Sequence, residues 1–114
     1  MDEIDRHLPL HPLEFRILMV LLDGPSHGYR IVRAIEESGA AGRIWPANLY
    51  RRIRDLLSRG WIEEVAAPPG EEDPRRTHVG LSGLGQCVAE AEARRLASAV
   101  EAARSKRLLE GPVS

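Results

Sequence analysis

Arginines are concentrated in two short zones of this 114-residue sequence, and guanidinium groups are well suited to bind phosphate or guanine. Residues 43–59 contain five arginines against one acid, a net charge of +4, and residues 75–81 add Arg75 and Arg76. The whole chain carries a formal net charge of −1, which excludes a generic polycation. An anionic partner would therefore be bound by local patches.

Residues 46–59 have the apolar spacing of an amphipathic helix. Pro46 suits the first helical turn, and Gly60 suits the position after the last. One face carries the apolar side chains Leu49, Ile53, Leu56 and Leu57. The opposite face carries Ala47, Asn48, Arg51, Arg54, Asp55 and Ser58. Asparagine pairs with adenine and arginine with guanine or phosphate, so this face is predicted to enter a major groove; a merely solvated helix face is the alternative.

Three more helices flank this segment. Residues 12–23 are apolar on nearly all sides, which predicts a helix at the centre of the fold. Ser26 is the predicted N-cap of a second helix over residues 27–38. Ser82 is the predicted N-cap of a last helix that extends to about residue 109.

The segment between helix 46–59 and the last helix has the period of strands. Residues 61–66 and 76–81 are predicted to form a two-stranded hairpin with an exposed tip. Three helices followed by a hairpin define a winged helix-turn-helix, in which the third helix enters a DNA groove and the hairpin, or wing, flanks it. We therefore predict a mainly α fold with a small β-hairpin and a long C-terminal helix.

The last helix is too long for the preceding domain to cover. About 28 residues extend about 40 Å, and apolar side chains continue well past the first turns. A second copy of the chain is the simplest cover, with packing on its own domain as the alternative. We predict a winged-helix domain over residues 1–81, with an N-terminal extension over 1–11, and a dimerisation helix over 82–110. The predicted interface residues are Leu84, Val88, Leu96, Val100 and Ala103.

The remaining reactive side chains predict no catalytic or metal centre. Cys87 is the single cysteine, which excludes an internal disulfide and a multi-thiolate zinc site and suits a reducing cytoplasm. His7 and His11 have the spacing of two ligands on one helix, but Pro9 lies between them and no third ligand accompanies them. We expect no enzyme activity, no cofactor and no membrane segment, since the longest apolar run, residues 17–22, is too short to cross a bilayer.

Three motifs, in order and spacing, resemble the PadR family of bacterial transcriptional regulators. They are segment 17–31 with its Ser26-His27-Gly28-Tyr29 sequence, Pro46-Ala47-Asn48-Leu49-Tyr50 followed by Arg59-Gly60-Trp61, and Asp73-Pro74-Arg75-Arg76 followed by Leu81-Ser82. The resemblance covers residues 10–110. The sequence departs from the family pattern at Ala47-Asn48, where Gly-Thr is usual, and at His78-Val79, where tyrosine is usual.

The resemblance implies a cytoplasmic homodimer that binds double-stranded operator DNA, most often as a repressor released by a small-molecule effector. It places helix 46–59 in the major groove and the wing, residues 66–77, on the flanking backbone. The implied DNA contacts are Asn48, Tyr50, Arg51, Arg54, Arg75, Arg76 and Tyr29. For Tyr29, a packing role is the alternative. A winged-helix protein–protein module is the alternative function, favoured by the five acids of residues 63–73.

Overall fold

The computed structural model describes residues 2–39, 46–71, 73 and 75–110. The predicted fold class is confirmed, because helices dominate and a small antiparallel sheet precedes a long C-terminal helix. The elements in chain order are α1 (Asp2–Asp5), α2 (Pro12–Leu21), β1 (Ser26–His27), α3 (Gly28–Glu37), α4 (Pro46–Arg59), β2 (Ile62–Val65), β3 (His78–Leu81) and α5 (Gly83–Ser105). Helix 46–59 has the predicted bounds, whereas α2 and α5 end earlier than the sequence predicts.

The sheet has three strands in the order β1-β3-β2, where the sequence predicted a hairpin of two. The additional strand changes the start of α3. Ser26, the predicted N-cap, is instead buried and paired with Val79. The actual cap is His27, whose extended backbone lets its Nδ1 accept a hydrogen bond from the Arg30 backbone N–H at 3.3 Å. The observed helix therefore begins at Gly28, one residue later than the sequence predicted.

A single hydrophobic core joins the helices to the sheet. Each of α2, α3 and α4 directs one apolar stripe into it, as amphipathic spacing requires. Its fully buried large side chains include Ile17, Leu18, Ile31, Ile35, Leu49, Leu56, Trp61, Ile62 and Val88.

The N-terminal segment, predicted as an extension, packs against α5 and belongs to the core. Ile4 and Leu10 are buried there, and the His7 ring meets the Trp61 ring edge-on with 5.2 Å between centroids. The Leu10 backbone N–H donates to Glu92 Oε2 on α5 at 3.3 Å. This segment therefore fixes the first half of the long helix to the domain.

Glu92 is the buried charge at this contact. Arg95 binds its carboxylate with both Nε and a terminal nitrogen, at 2.6 and 2.9 Å. The Arg95 hydrogen bonds, together with the nearby Arg95 charge and the Leu10 amide, lower the pKa of Glu92 despite its burial. The carboxylate is therefore ionised at neutral pH and links α5 to the N-terminal segment.

The structure corrects one residue of the predicted dimer interface, Val88. Its side chain is 0% exposed and packs in the core of its own chain. Leu84, predicted beside it, is 45% exposed. The periodicity of α5 identified an apolar surface, but the domain covers more of that surface than the sequence indicated.

The start of α5 lies directly on the end of α4. Ser82 caps α5 by accepting from the Gly85 N–H at 3.0 Å, while its own hydroxyl donates to the Gly60 carbonyl at 2.6 Å. The Ser82 N–H donates to the Trp61 carbonyl at 3.1 Å. A side chain at Gly85 would overlap this carbonyl, so the approach requires glycine.

We predict that Gly85→Ala destabilises the fold by about 1–3 kcal/mol, the usual cost of overpacking a tight contact. Chemical denaturation monitored by circular dichroism measures this. Gly83→Ala is the matched control: a Cβ there meets no atom within 4 Å, so the free energy of unfolding stays equal or rises by up to about 1 kcal/mol. Equal stabilities of the two variants would contradict the close contact.

We predict that Glu92→Gln lowers the free energy of unfolding at pH 7 by about 1.5–3 kcal/mol, the worth of hydrogen bonds to a charged group. Because the pKa of Glu92 is lowered in the folded chain, its contribution is present above the ordinary glutamate pKa of about 4.3 and disappears as pH falls through the folded value. The difference from wild type should therefore narrow in acid. Glu90→Gln, at an exposed position of the same helix, should match wild type throughout.

Candidate nucleic-acid interface

The solvent-facing side of α4 presents a small polar surface, the recognition face, made of Asn48, Arg51 and Arg54. All three are exposed, while Leu49 and Leu56 on the opposite side are completely buried. Among the residues that the structure describes, Arg51 and Arg54 form no ion pair. Their guanidinium groups are therefore available to an external anion.

The other two described arginines of α4 are held by the protein. Arg59 donates to Glu14 Oε2 at 3.0 Å, and Arg52 lies 3.6 Å from the same oxygen. Glu14 is buried, and Arg59 also lies 5.0 Å from the centre of the Trp61 ring. These contacts attach α4 to α2 and fix the direction in which the recognition face points.

The arginines of the wing lie beside an acid that partly neutralises them. Asp73 Oδ1 accepts from the backbone N–H of Arg75 at 3.0 Å and from its Nε at 3.3 Å, and these bonds lower the pKa of Asp73. Arg76 Nε lies 3.9 Å from the other carboxylate oxygen. The Arg75 side chain is nevertheless 90% exposed. The wing therefore keeps one cation extended into solvent.

A groove of about 340 Å³ brings three of the predicted contact residues together: Tyr29, Tyr50 and Arg76. The Tyr50 ring packs on Gly28, where a Cβ would overlap it. The Arg76 guanidinium lies 5.6 Å from the centre of the Tyr29 ring, and the Tyr29 hydroxyl accepts from Arg33 at 3.2 Å. The start of α3, the middle of α4 and the wing thus form one continuous surface.

A second, polar groove of about 820 Å³ extends this surface along the wing. Arg30, Arg75 and Arg76 line it together with the acids Glu71 and Asp73. Its polar lining, with three arginines against two acids, suits a phosphate backbone better than an apolar molecule.

At the base of the wing, two histidines and an acid meet; we call this group the wing-base cluster: His27, Glu71 and His78. The histidines are paired across β1 and β3, and their rings meet edge-on at 5.3 Å. Burial, followed by the nearby Arg76 charge, lowers the pKa of His27, so its ring is neutral near pH 7. A backbone hydrogen bond from Asp73 lowers the pKa of Glu71.

Sequence reasoning missed this cluster and predicted no metal site. Glu71 is 44 positions from His27, so spacing gave no signal. The signal available in the sequence was the pair of strands, since knowing the pairing of His27 with His78 would have placed the two rings side by side. Arg43, the first of the five arginines of residues 43–59, lies outside the described residues.

Within the described ranges, none of the helices has the length and apolar character needed to cross a bilayer. A helix-turn-helix formed by α3 and α4, with a wing made by β2 and β3, defines the winged-helix class of DNA-binding proteins. The model of the PadR-like family of transcriptional regulators matches residues 17–87. The chain belongs to this family, as its motifs indicated.

Solved structures of other regulators share the fold. A transcriptional regulator from Clostridium thermocellum is 20% identical with a TM-score of 0.68, over 91% of this chain and 93% of that one. A PadR family regulator from Clostridium difficile is 15% identical with a TM-score of 0.70, over 83% and 97%. Wild-type MarR from E. coli is 16% identical with a TM-score of 0.72, over 96% and 73%. Among curated proteins, no sequence matches this chain significantly.

Proposed function

We propose that this protein is a homodimeric, cytoplasmic repressor that binds a palindromic operator, with α4 in the major groove and the wing on the flanking backbone. The observation that carries the proposal is the division of the α4 arginines. Arg52 and Arg59 fix the helix through the buried Glu14, while Arg51 and Arg54 face solvent unpaired within the described chain. A merely solvated helix face would not require such fixed orientation.

The position of Asn48 supports base contacts. It lies in the first turn of α4, the end that enters a major groove in helix-turn-helix proteins, and it is exposed. Asparagine makes a paired hydrogen bond with adenine, whereas Arg51 and Arg54 suit guanine or phosphate. Asp55 is partly buried on the same helix. Its negative charge disfavours contacts with many phosphates and favours a few selective contacts.

The second half of α5 supports the dimer. The buried residues of this 23-residue helix all lie at or before Glu92, and among the described residues after it none is fully buried. Leu96, Val100 and Ala103 form one stripe there, and Leu96 is 36% exposed. A helix end without packing is only marginally stable in water, and a second copy of the same stripe would bury it.

The exposed acids of β2, Glu63 and Glu64, favour the alternative of a protein–protein module, because they would repel phosphates near the wing. Of the other described acids of the wing, Asp73 is paired with Arg75, and the Glu71 side chain is largely buried beside His78. Salt dependence separates the two functions, since affinity for DNA falls steeply with salt when phosphates are contacted.

We predict that Arg51→Ala combined with Arg54→Ala weakens operator binding about 30-fold or more at fixed salt. Each arginine contact with a base is worth about 1–3 kcal/mol, so losing two removes at least about 2 kcal/mol. Fluorescence anisotropy with DNA from the region upstream of the gene measures the affinity at two salt concentrations.

The matched control for this variant is Arg6→Ala combined with Arg94→Ala, which removes the same charge. Arg6 is exposed in the turn after α1, and Arg94 is exposed on α5. It should bind DNA like wild type. Equal affinity of both double variants would contradict the placement of the operator on α4. Absence of selective, salt-sensitive binding by the wild-type dimer would favour the protein–protein module.

We predict that Leu96→Glu combined with Val100→Glu converts the protein to a folded monomer and weakens operator binding about 100-fold or more, because two linked half-site contacts become independent. Sedimentation equilibrium measures the mass, and circular dichroism confirms the fold. Ser98→Glu combined with Ala102→Glu adds the same charge to the opposite side of α5 and should leave a dimer. A wild-type monomer, or a dimer that survives the first pair of changes, would overturn this interface.

A further inference from the structure

We propose that the wing-base cluster of His27, Glu71 and His78 binds a divalent transition-metal ion of the zinc, cobalt or nickel type. Two imidazoles and one carboxylate, with a fourth position for water, are a familiar donor set for such ions, while magnesium and calcium prefer oxygen ligands. The three candidate ligand atoms lie within 4.8 Å of one another.

The contacts of His78 fix the position of one ring proton. Its Nδ1 lies 3.2 Å from the Arg76 carbonyl oxygen, and a carbonyl only accepts, so Nδ1 carries a proton. An imidazole N–H held by a backbone carbonyl is the arrangement that orients a metal-binding histidine. The other nitrogen, Nε2, therefore has a free lone pair in the neutral ring.

His78 Nε2 lies close to a carboxylate in the protein interior. Glu71 Oε2 lies 3.0 Å from His78 Nε2, with the two side chains 10% and 0% exposed. Nε2 is nevertheless without a hydrogen bond among the described residues, since the carboxylate oxygen lies outside the direction of one. The buried nitrogen and the carboxylate oxygen are thus close together without a hydrogen bond, and a metal ion bound to both would satisfy them.

The distances suit a metal ion. Ligand bonds of about 2.0–2.2 Å in tetrahedral geometry place neighbouring ligand atoms about 3.3 Å apart. The separation of His78 Nε2 from Glu71 Oε2 is already close to this value. One ring nitrogen of His27 lies within 4.8 Å of the ligand atoms that His78 and Glu71 offer.

The cation nearest His27 is Arg76, with a guanidinium nitrogen 3.0 Å from His27 Nε2. A divalent ion in the cluster would repel this group. If Arg76 contacts DNA, as in the proposed function, metal binding frees the side chain for phosphate and pins the wing through Glu71. The metal would then increase operator affinity and steepen its salt dependence by about one phosphate contact per protomer.

Cobalt titration of the full-length protein, freed of metal by a chelator and without DNA, tests the site directly. The wild type should take up one equivalent of Co²⁺ per chain and show the strong visible absorption of a tetrahedral complex. Glu71→Gln should weaken binding about 10-fold or more, while it keeps an oxygen that accepts from the Asp73 amide. The exposed Glu64→Gln should bind like wild type.

A second control addresses the other histidines. His11→Asn removes a ring outside the cluster and retains a side chain that can cap α2, so Co²⁺ binding should be unchanged. Zn²⁺ should also raise the melting temperature of wild type by about 5 °C or more at 100-fold excess over its dissociation constant, and much less for Glu71→Gln.

An imidazolium–carboxylate pair alone, with no metal site, predicts no saturable Co²⁺ uptake, and that result would overturn the proposal. Equal affinities of wild type and Glu71→Gln would overturn it as well. Neither measurement involves DNA, so failure of the site is distinguishable from failure of the proposed function. With metal bound, an unchanged salt dependence of DNA binding would overturn the role of Arg76.

Discussion

The contact between Gly85 and the Trp61 backbone fixes the position of α5 relative to α4. It joins the first turn of α5 to the end of α4, and the cap of Ser82 on the Gly60 carbonyl closes the same junction. His7 packs on the opposite side through the Trp61 ring. In a dimer formed along α5, the separation of two recognition faces would depend on this junction. A palindrome with half-sites about 34–36 Å apart tolerates little change in that separation, so a close contact of backbone on backbone is well suited to maintain it.

Buried carboxylates determine which arginines of this nearly neutral chain remain exposed. Glu14 and Glu92 lie in the interior, and each binds arginine, which makes the burial of charge tolerable. Glu14 engages Arg52 and Arg59 from a helix with four described arginines, and thereby leaves two of them directed outward. The positive charge of the recognition face therefore depends on which arginines pair with the buried Glu14. Net charge contains no information about that division, and neither does the density of arginine along the sequence.

The sequence predicted the elements that are long enough to show a regular apolar period. Its predictions were wrong where an element depends on pairing between distant segments of the chain. Fourteen residues with a regular apolar stripe between Pro46 and Gly60 were enough to place α4 correctly. Two residues, Ser26 and His27, are too few to show a strand period, so β1 and the cap of α3 were missed. Val88 was assigned to the wrong surface because helical spacing defines a stripe without showing which part the N-terminal segment covers. The meeting of Tyr29, Tyr50 and Arg76 was implied by resemblance alone, since no local pattern links three separate elements.

His27 places a chemical constraint on the base of the wing. Its Nδ1 is positioned to accept from the Arg30 amide at 3.3 Å, and its Nε2 to accept from Arg76 at 3.0 Å. A neutral imidazole accepts at one nitrogen and donates at the other, so it satisfies the cap of α3 or holds Arg76, but not both at once. The tautomer that caps the helix therefore holds the wing arginine weakly. Arg76 also lies 3.9 Å from Asp73 and 5.6 Å from the centre of the Tyr29 ring, so His27 is one of three groups that position it. If Arg76 contacts a phosphate, as proposed, the tautomer of His27 would influence how readily the guanidinium moves to that phosphate.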